Sequence, residues 1–162
     1  MSRVGTRPIA LPVGVDVKID GSEVTVKGSK GSLTRVIHDG IQVFVEDGVM
    51  KVTRSSEERT YRAMHGLTRS LLANMVVGVS QGFDKSLELV GVGYRVQSSG
   101  KGIALNVMLS HVVEIVPRDG ITFEIEGNNR INVRGIDKEV VGQTAANIRA
   151  VKPPNVYTGK GV

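Results

Sequence analysis

Cysteine and tryptophan are absent from this chain of 162 residues, and aromatic residues make up only 4% of it. Without cysteine there is no disulfide scaffold, no Cys-ligated zinc or iron–sulfur centre and no thiol nucleophile. Long apolar runs are also missing: the longest, such as residues 75–79, are far too short to span a membrane. The opening residues include Arg3 and Arg7 and contain no secretory apolar region. We therefore expect a soluble, cytoplasmic protein with no membrane partner.

What the chain does contain is enough apolar residues, 40%, to build a packed core. Its net charge of +5 says less than the distribution of that charge. Five stretches hold 13 of the 21 cations and no acid: residues 1–15, 24–38, 59–83, 89–113 and 140–162. Unpaired Lys and Arg suit a polyanionic partner, because they release counterions from phosphates. The alternative is a solvated charged surface without a partner.

Short runs of alternating or β-branched residues, separated by glycine-containing turn pairs, predict half-buried antiparallel strands. The predicted strands are 15–19, 24–27, 33–37, 41–45, 50–53, 86–90, 94–97, 103–108, 112–116, 121–126 and 131–133. Two segments show the 3.6-residue period of an amphipathic helix instead, and we predict helices over about 57–77 and 137–151.

The first helix should bury its apolar face, and Ser55 with Glu58 three residues later is a candidate capping box. Gly78 or Gly82 can end this helix. The predicted apolar positions are Tyr61, Met64, Leu67, Leu71, Leu72, Met75 and Val76. The second helix presents one apolar face and stops at a Pro-Pro pair; that face holds Val141, Thr144, Ala145, Ile148 and Val151.

Matching letters indicate an internal duplication. Residues 38–41 match 118–121 at an offset of 80, Arg54 matches Arg134 at the same offset, and Gly66 matches Gly142 at 76. We predict an α+β fold of two duplicated small domains, each an antiparallel (mixed) sheet with one helix packed on one face. The domains should cover residues 1–81 and 82–162, the second ending in a basic tail, 152–162. A glycine inside each helix predicts a close approach of helix to sheet backbone.

The sequence contains few catalytic or metal-binding patterns. The three histidines, His38, His65 and His111, stand far apart without metal-ligand partners, and we place His65 between the two faces of its helix. Ser110 and His111 point to opposite faces of a strand and cannot act as a pair. The Gly91 to Gly93 turn lacks the third glycine of a dinucleotide-binding motif. We predict no enzyme, no metal, no cofactor and no small-molecule substrate.

Two acid-free terminal segments look suited to RNA instead. The tail, 152–162, combines cations, one aromatic residue, two prolines that stiffen it and two glycines that permit close backbone approach. Such a segment fits phosphates, 2′-hydroxyls and exposed base faces, although a frayed terminus is the plain alternative. The head, residues 2–8, is also acid-free and irregular and contains Arg3 and Arg7.

Several blocks of this sequence resemble the family of bacterial large-subunit ribosomal protein six. They are the opening residues 1–15, the blocks 24–33, 87–95 and 135–149, Ser110-His111, and the closing Tyr157-Thr158-Gly159-Lys160-Gly161-Val162. Four departures stand out. Ser29 replaces the usual proline, Thr158 stands where the family has lysine, and Met108-Leu109 and Val112 replace the glycine, aromatic and proline around Ser110-His111. Many relatives also continue beyond the position of Val162 with a further basic stretch, so we expect a shortened or incomplete tail.

The resemblance implies a structural component of the large ribosomal subunit that binds and orders large-subunit ribosomal RNA near the translation-factor-binding region, mainly through its C-terminal domain. Neighbouring ribosomal proteins are implied as further partners. The RNA-binding residues carried over by position are Tyr157, Gly159, Lys160, Gly161, Lys152, Arg149, Ser110, His111, Arg95, Gly91 and Gly93, to which the acid-free head adds Arg3 and Arg7.

A different class of function stays open on the sequence alone: a non-catalytic protein-interaction adaptor that uses sheet edges and helix faces. Sensitivity of co-purifying partners to RNase separates an RNA binder from an adaptor.

Overall fold

The computed structural model describes residues 3–162, so Met1 and Ser2 of the family-like opening lie outside it. Strands and helices alternate in blocks along the described residues. Their order is β1 (Ile9–Ala10), β2 (Asp16–Asp20), β3 (Glu23–Gly28), β4 (Gly31–Val36), β5 (Ile41–Glu46), β6 (Val49–Arg54), α1 (Arg59–Ser80), β7 (Phe83–Glu88), β8 (Arg95–Ser99), β9 (Gly102–Asn106), β10 (Val113–Ile115), β11 (Ile121–Glu126), β12 (Arg130–Gly135) and α2 (Lys138–Val151).

Backbone contacts divide the chain into an N-terminal unit and a C-terminal unit, and the boundary along the sequence falls between Gly82 and Phe83. In the N-terminal unit the sheets have the strand orders β1-β6-β5 and β2-β3-β4. In the C-terminal unit they are β7-β12-β11 and β8-β9-β10, and all of these pairings are antiparallel. The predicted α+β fold with two copies of one arrangement is confirmed, and the strands of each copy divide between two sheets.

Each unit has its own hydrophobic core. Alternation along a strand puts every second side chain on one face. Helix α1 packs against strands of both sheets of its unit, and α2 packs against β7 and β12. The N-terminal core includes Val24, Val26, Met50, Leu72 and Val79, all fully buried. The C-terminal core includes the equally buried Leu105, Val107, Ile131, Val133 and Ile148.

The face that α1 buries differs from the predicted one in the first half of the helix. Leu72, Met75 and Val76 are buried as expected, and the predicted face of α2 is buried at Val141, Thr144, Ala145 and Ile148. Nearer the start of α1, however, the buried side chains are the polar His65 and Thr68, while Leu67 is 51% exposed. A periodicity of apolar residues counts no polar residue as core and therefore places Leu67 inward. The other predicted positions there, Tyr61, Met64 and Leu71, are partly buried, and Met64 packs against the core.

A hydrogen-bond network explains why α1 turns His65 inward. Arg54 Nη1 lies 2.9 Å from His65 Nδ1, and His65 Nε2 lies 2.8 Å from the Val52 carbonyl oxygen. A guanidinium only donates, so Nδ1 accepts, and the proton of the neutral ring sits on Nε2, which donates to Val52. Arg54 also holds the Glu57 carboxylate through Nη2 at 2.7 Å, and this hydrogen bond lowers the pKa of Glu57 below its usual 4.5. The prediction that His65 lies between two faces is wrong: it is a buried structural histidine.

The start of α1 is built differently from the predicted capping box. Ser55 Oγ donates to the Gly40 carbonyl oxygen at 3.2 Å and so is not the cap. The helix begins at Arg59, and the Glu58 that precedes it makes no side-chain capping bond. By contrast, the side chain of Asp137 caps α2 by accepting from the Glu139 N–H at 2.9 Å, as short polar side chains do at helix starts.

Gly82, rather than Gly78, accounts for the end of α1. The N–H groups of Gln81 and Gly82 both donate to the Val77 carbonyl oxygen, and Gly82 has φ +79°. A left-handed glycine just beyond the last turn is a common helix stop. Gly78 lies buried inside the helix.

The offset of 76 between the helices agrees with burial, because the buried positions 65, 68 and 72 fall on 141, 144 and 148.

The match of Arg54 with Arg134 is wrong. In the N-terminal unit Ile41 pairs with Arg54 across the strands, and in the C-terminal unit Ile121 pairs with Gly135. Because Ile41 and Ile121 are equivalent in the two copies, the structural equivalent of Arg54 is Gly135. Arg134 is one residue out of phase, on the other face of its sheet, where it bonds Glu124.

The interior glycine of α2 does not serve close packing. A Cβ added at Gly142 would meet no atom within 4 Å, so the predicted approach of helix to sheet backbone at this position is wrong. Close packing against α2 occurs instead at Gly135, where an added Cβ would lie 2.9 Å from Val141 Cγ2.

Candidate nucleic-acid interface

The tail of the C-terminal unit folds back into a closed loop rather than fraying. The N–H of Val162 donates to the Lys152 carbonyl oxygen at 2.9 Å, and the N–H of Asn155 donates to the Lys160 carbonyl oxygen at the same distance. Val162 is buried in the core of the unit. The loop formed by residues 152–162, called the tail loop below, therefore holds both of its ends in place.

Asn155 organises the tip of the tail loop. Its Oδ1 accepts from the N–H groups of Tyr157 at 2.8 Å and Thr158 at 3.3 Å, and its carbonyl accepts from the Gly159 N–H at 2.7 Å. Asparagine side chains commonly stabilise turns in this way. The turn leaves Val156 and Tyr157 pointing into solvent, Tyr157 with 94% of its surface exposed.

Gly161 fastens the tail loop to Val90, two residues beyond the end of β7. It forms an antiparallel bridge with Val90, in which each N–H donates to the other's carbonyl oxygen at 2.9 Å. The backbone of Gly161 has φ +151°, and an added Cβ would lie 2.6 Å from Pro154 Cα. Only glycine fits both this conformation and this space.

The bridge brings the glycine turn after Val90 beside the tail loop. Gly91 has φ +144°, and an added Cβ would lie 2.6 Å from the ring of Tyr94. Gly93 has φ +82°, and a Cβ added there would lie 3.9 Å from the side chain of Met108. Three predicted segments of the C-terminal unit, 91–95, 108–111 and 152–161, therefore lie at one end of it.

A groove of about 570 Å³ runs between the tail loop and Tyr94. Lys152 lies half-buried in its wall and Lys160 is exposed at its rim, while Arg149 is exposed on the last turn of α2 and Arg95 at the start of β8. Among residues 3–162 these four cations form no ion pair. The groove is lined by Tyr94, Lys152, Pro153, Pro154, Asn155, Val156, Tyr157, Thr158 and Lys160. An exposed ring beside free cations can stack a base and neutralise phosphates.

Ser110 and His111 are exposed in the connection between β9 and β10. The residue that shapes this connection is Met108, which has φ +56° and 69% of its surface exposed. From the sequence, Met108 is the end of a predicted strand, 103–108, and a departure from the family, which has glycine in this stretch; the observed strand β9 ends at Asn106. Asn155 was missed altogether, although an asparagine directly after Pro-Pro is a turn signal.

Replacing Met108 with glycine should stabilise the C-terminal unit. A left-handed backbone costs a side-chain-bearing residue roughly 1–2 kcal/mol, and we expect Met108→Gly to raise the free energy of unfolding by about 1 kcal/mol in urea denaturation. Leu109→Gly is the control: Leu109 has no positive φ, so glycine there should lower stability. An equal effect of both changes would contradict the strain at Met108.

Arg3 and Arg7 belong to the N-terminal unit, unlike the other predicted RNA-binding residues. Their side chains are exposed. The head is held against α1, because Arg69 donates to the carbonyl oxygens of Arg7 at 3.1 Å and Pro8 at 3.3 Å. Gly5 packs directly against the His65 ring: a Cβ added at Gly5 would lie 2.4 Å from His65 Nδ1. Residues 3–8 of the head are thus anchored to α1 and present two arginines.

Neither helix of the part described, residues 3–162, is long and apolar enough to cross a membrane. Within the same residues no group of three or more His, Asp or Glu side chains is placed to hold a metal ion.

Comparison with known proteins gives concordant matches over the whole chain. The family model described as ribosomal protein L6 matches residues 11–82 and 90–162. The chain is 55% identical over 162 residues to the large ribosomal subunit protein uL6 of Halalkalibacterium halodurans, covering all of this chain and 91% of that protein. It is 56% identical to uL6 of Caldicellulosiruptor bescii and 53% identical to uL6 of Staphylococcus carnosus, again over its full length and over 89% and 91% of theirs.

Proposed function

The chain belongs to the ribosomal protein L6 family, and we propose that it is a structural component of the large ribosomal subunit in the cytoplasm. In this role it binds and orders large-subunit ribosomal RNA near the factor-binding region, mainly through its C-terminal unit, beside neighbouring ribosomal proteins. The proposal involves no chemistry on a substrate.

The observation that carries the RNA-binding part is the tail loop. It is fixed at both ends, and it displays an exposed tyrosine beside cations without ion-pair partners. A segment that is already ordered loses little conformational entropy when it binds. The two tail glycines that the family shares have a structural reason as well: Gly159 turns the tip and Gly161 joins it to Val90.

Each residue has a role in this proposal. Lys160, Lys152, Arg149 and Arg95 neutralise phosphates, and these contacts fix the position of the rigid unit on the RNA. Tyr157 offers its ring to an unstacked base. Gly91 and Gly93 shape the adjoining turn, and Ser110 and His111 offer polar groups from the neighbouring connection. Arg3 and Arg7 give the N-terminal unit a separate cationic contact.

The salt dependence of RNA binding tests the role of Lys160. The logarithm of the association constant falls linearly with the logarithm of salt concentration, in proportion to the phosphates neutralised. We expect Lys160→Ala to weaken binding to purified large-subunit ribosomal RNA and to reduce the slope by about one contact.

Lys51→Ala provides the matched control, because it removes the same charge from a residue of the N-terminal unit that is already paired with Glu46 at 3.2 Å. It should leave the slope unchanged. A slope equally unchanged in Lys160→Ala would remove Lys160 from the contact. Binding of the unaltered chain that shows no salt dependence would overturn the RNA-binding proposal itself.

A further inference from the structure

The outer side of α1 carries an apolar surface centred on Leu67, a side chain that the core of the N-terminal unit does not use. Leu67 is half-exposed, Leu71 is partly buried, Met64 is partly buried against the core, and Val4 and Val36 lie exposed nearby. Leu67 lies between two grooves. One, of about 570 Å³, is lined by Val4, Arg59, Arg62, Ala63, Gly66, Leu67 and Ser70. The other, of about 370 Å³, is lined by Arg35, Val36, Ile37, His38, Met64, Leu67, Thr68, Leu71 and Leu72.

The duplicated helix shows what this side of the unit looks like when it faces water. At the offset of 76 that aligns the buried faces, Leu67 corresponds to Gln143 and Leu71 to Asn147. Both polar residues are exposed, and Gln143 Nε2 donates to Asn147 Oδ1 at 2.9 Å. The same position of the same fold is therefore polar in α2 and apolar in α1, and the apolar side chains are not a requirement of the fold.

The charge around the first groove is positive. Arg59 and Arg62 lie in the first turn of α1, which contains no acid, although a helix N-terminus disfavours positive charge. Neither arginine forms an ion pair within residues 3–162, although Arg62 acts at longer range on Glu57, which Arg54 bonds directly. Both cations therefore have no direct ion-pair partner in the described residues and are open to an anionic group from outside the unit.

The floor of this groove is shallow. Ala63, Gly66 and Ser70 follow one another at helical spacing and have small side chains, so a second backbone can approach closely. Glycine inside a helix costs about 1 kcal/mol relative to alanine, and Gly66 adds no side chain to the floor of this groove.

We propose that this face of α1 docks an amphipathic, acidic segment of a neighbouring protein of the large subunit. Apolar side chains of that segment fill the two grooves on either side of Leu67, and its carboxylates pair with Arg59 and Arg62. A protein fits better than RNA because the centre of the surface is aliphatic at Leu67, while the exposed His38 ring and the arginines line the grooves on either side of it. The inference rests on the proposed place of the chain in the large subunit.

Photocrosslinking in intact particles tests this docking. A benzophenone amino acid replaces Leu67 in the full-length chain, which is assembled into large subunits, irradiated, digested and analysed by mass spectrometry. We expect an adduct with an acid-containing peptide of another large-subunit protein. Adding Arg59→Glu and Arg62→Glu should reduce its yield at least fivefold.

The same photoprobe at position 143 of α2 is the internal control, and we expect it to give at most a fifth of that protein adduct. Adducts of residue 67 with RNA, with a second copy of this chain or with nothing would overturn the proposal, as would a yield unaffected by the charge reversals. The incorporation of Lys160→Ala into particles is measured separately. A chain that enters particles but gives no adduct at residue 67 indicates failure of docking, whereas incorporation that Lys160→Ala leaves unchanged counts against the RNA-binding proposal.

Discussion

Replacing Gly161 with alanine is expected to open the tail loop and to weaken binding to large-subunit ribosomal RNA about tenfold or more. The new Cβ would meet the backbone of Pro153 and Pro154 at 2.6 to 2.8 Å, in a conformation that side chains rarely adopt. Strain of this kind costs of order 1–3 kcal/mol, and the two hydrogen bonds to Val90 are lost with it. The freed residues must then be ordered on binding, at about 1 kcal/mol each.

Hydrogen exchange reports the structural half of this result, since the N–H groups of Val90 and Gly161 should lose their protection in the variant. Gly159→Ala is the matched control. Gly159 also has a positive φ, +69°, but an added Cβ there meets nothing within 4 Å. It should therefore strain only the tip, with much less effect on affinity. If Gly161→Ala retains both protection and affinity, the closed loop is not what RNA binding requires.

Replacing His65 with valine is expected to destabilise the N-terminal unit by about 3 kcal/mol. The change leaves the Val52 carbonyl without its donor, a loss of about 1–3 kcal/mol, and removes the acceptor of Arg54, whose side chain is 14% exposed. In the C-terminal unit the position equivalent to His65 is Val141, and the position equivalent to Arg54 is Gly135. The two residues lie against each other there as well. The double variant Arg54→Gly, His65→Val should therefore lose less stability than the two single changes added together.

Hydrogen exchange of the α1 amides measures the loss, and the α2 amides of the same molecules serve as the reference that should not move. His111→Ala, at an exposed histidine, should change stability by no more than about 0.5 kcal/mol. Unaltered protection of α1 in His65→Val would show that the histidine is dispensable for the core.

Element positions were predictable because they depend on local periodicity. Strand β11 was predicted at its observed limits and β5 within one residue, since turn pairs and alternation bound them both. The two-residue β1 was missed, because Ile9–Ala10 is too short to alternate. The burial of His65 could not be predicted either, since its partners Val52 and Arg54 lie on a strand whose register with α1 is a tertiary property.

The candidate site shows the same division. Composition and family resemblance drew attention to the tail, but its closure depends on Val90, about seventy residues earlier in the chain, and no local pattern pairs these positions. The juxtaposition of Gly93 with Met108 is equally non-local. The apolar residues of α1 predicted the helix correctly, but they predicted its inward face correctly only in the second half, at Leu72, Met75 and Val76. In the first half they include Leu67, which stays on the surface.

The separate cores also bear on how the chain is made. Residues of the N-terminal core all precede Gly82, so the first unit needs no side chain of the second to complete its core. Synthesis at about 5–20 residues per second leaves the first unit roughly 4–16 s in which to fold while the second is still being translated. The tail loop, whose last hydrogen bond requires Val162, can close only after residues 83–162 have been added, so an RNA-binding surface that depends on it forms later than the N-terminal core.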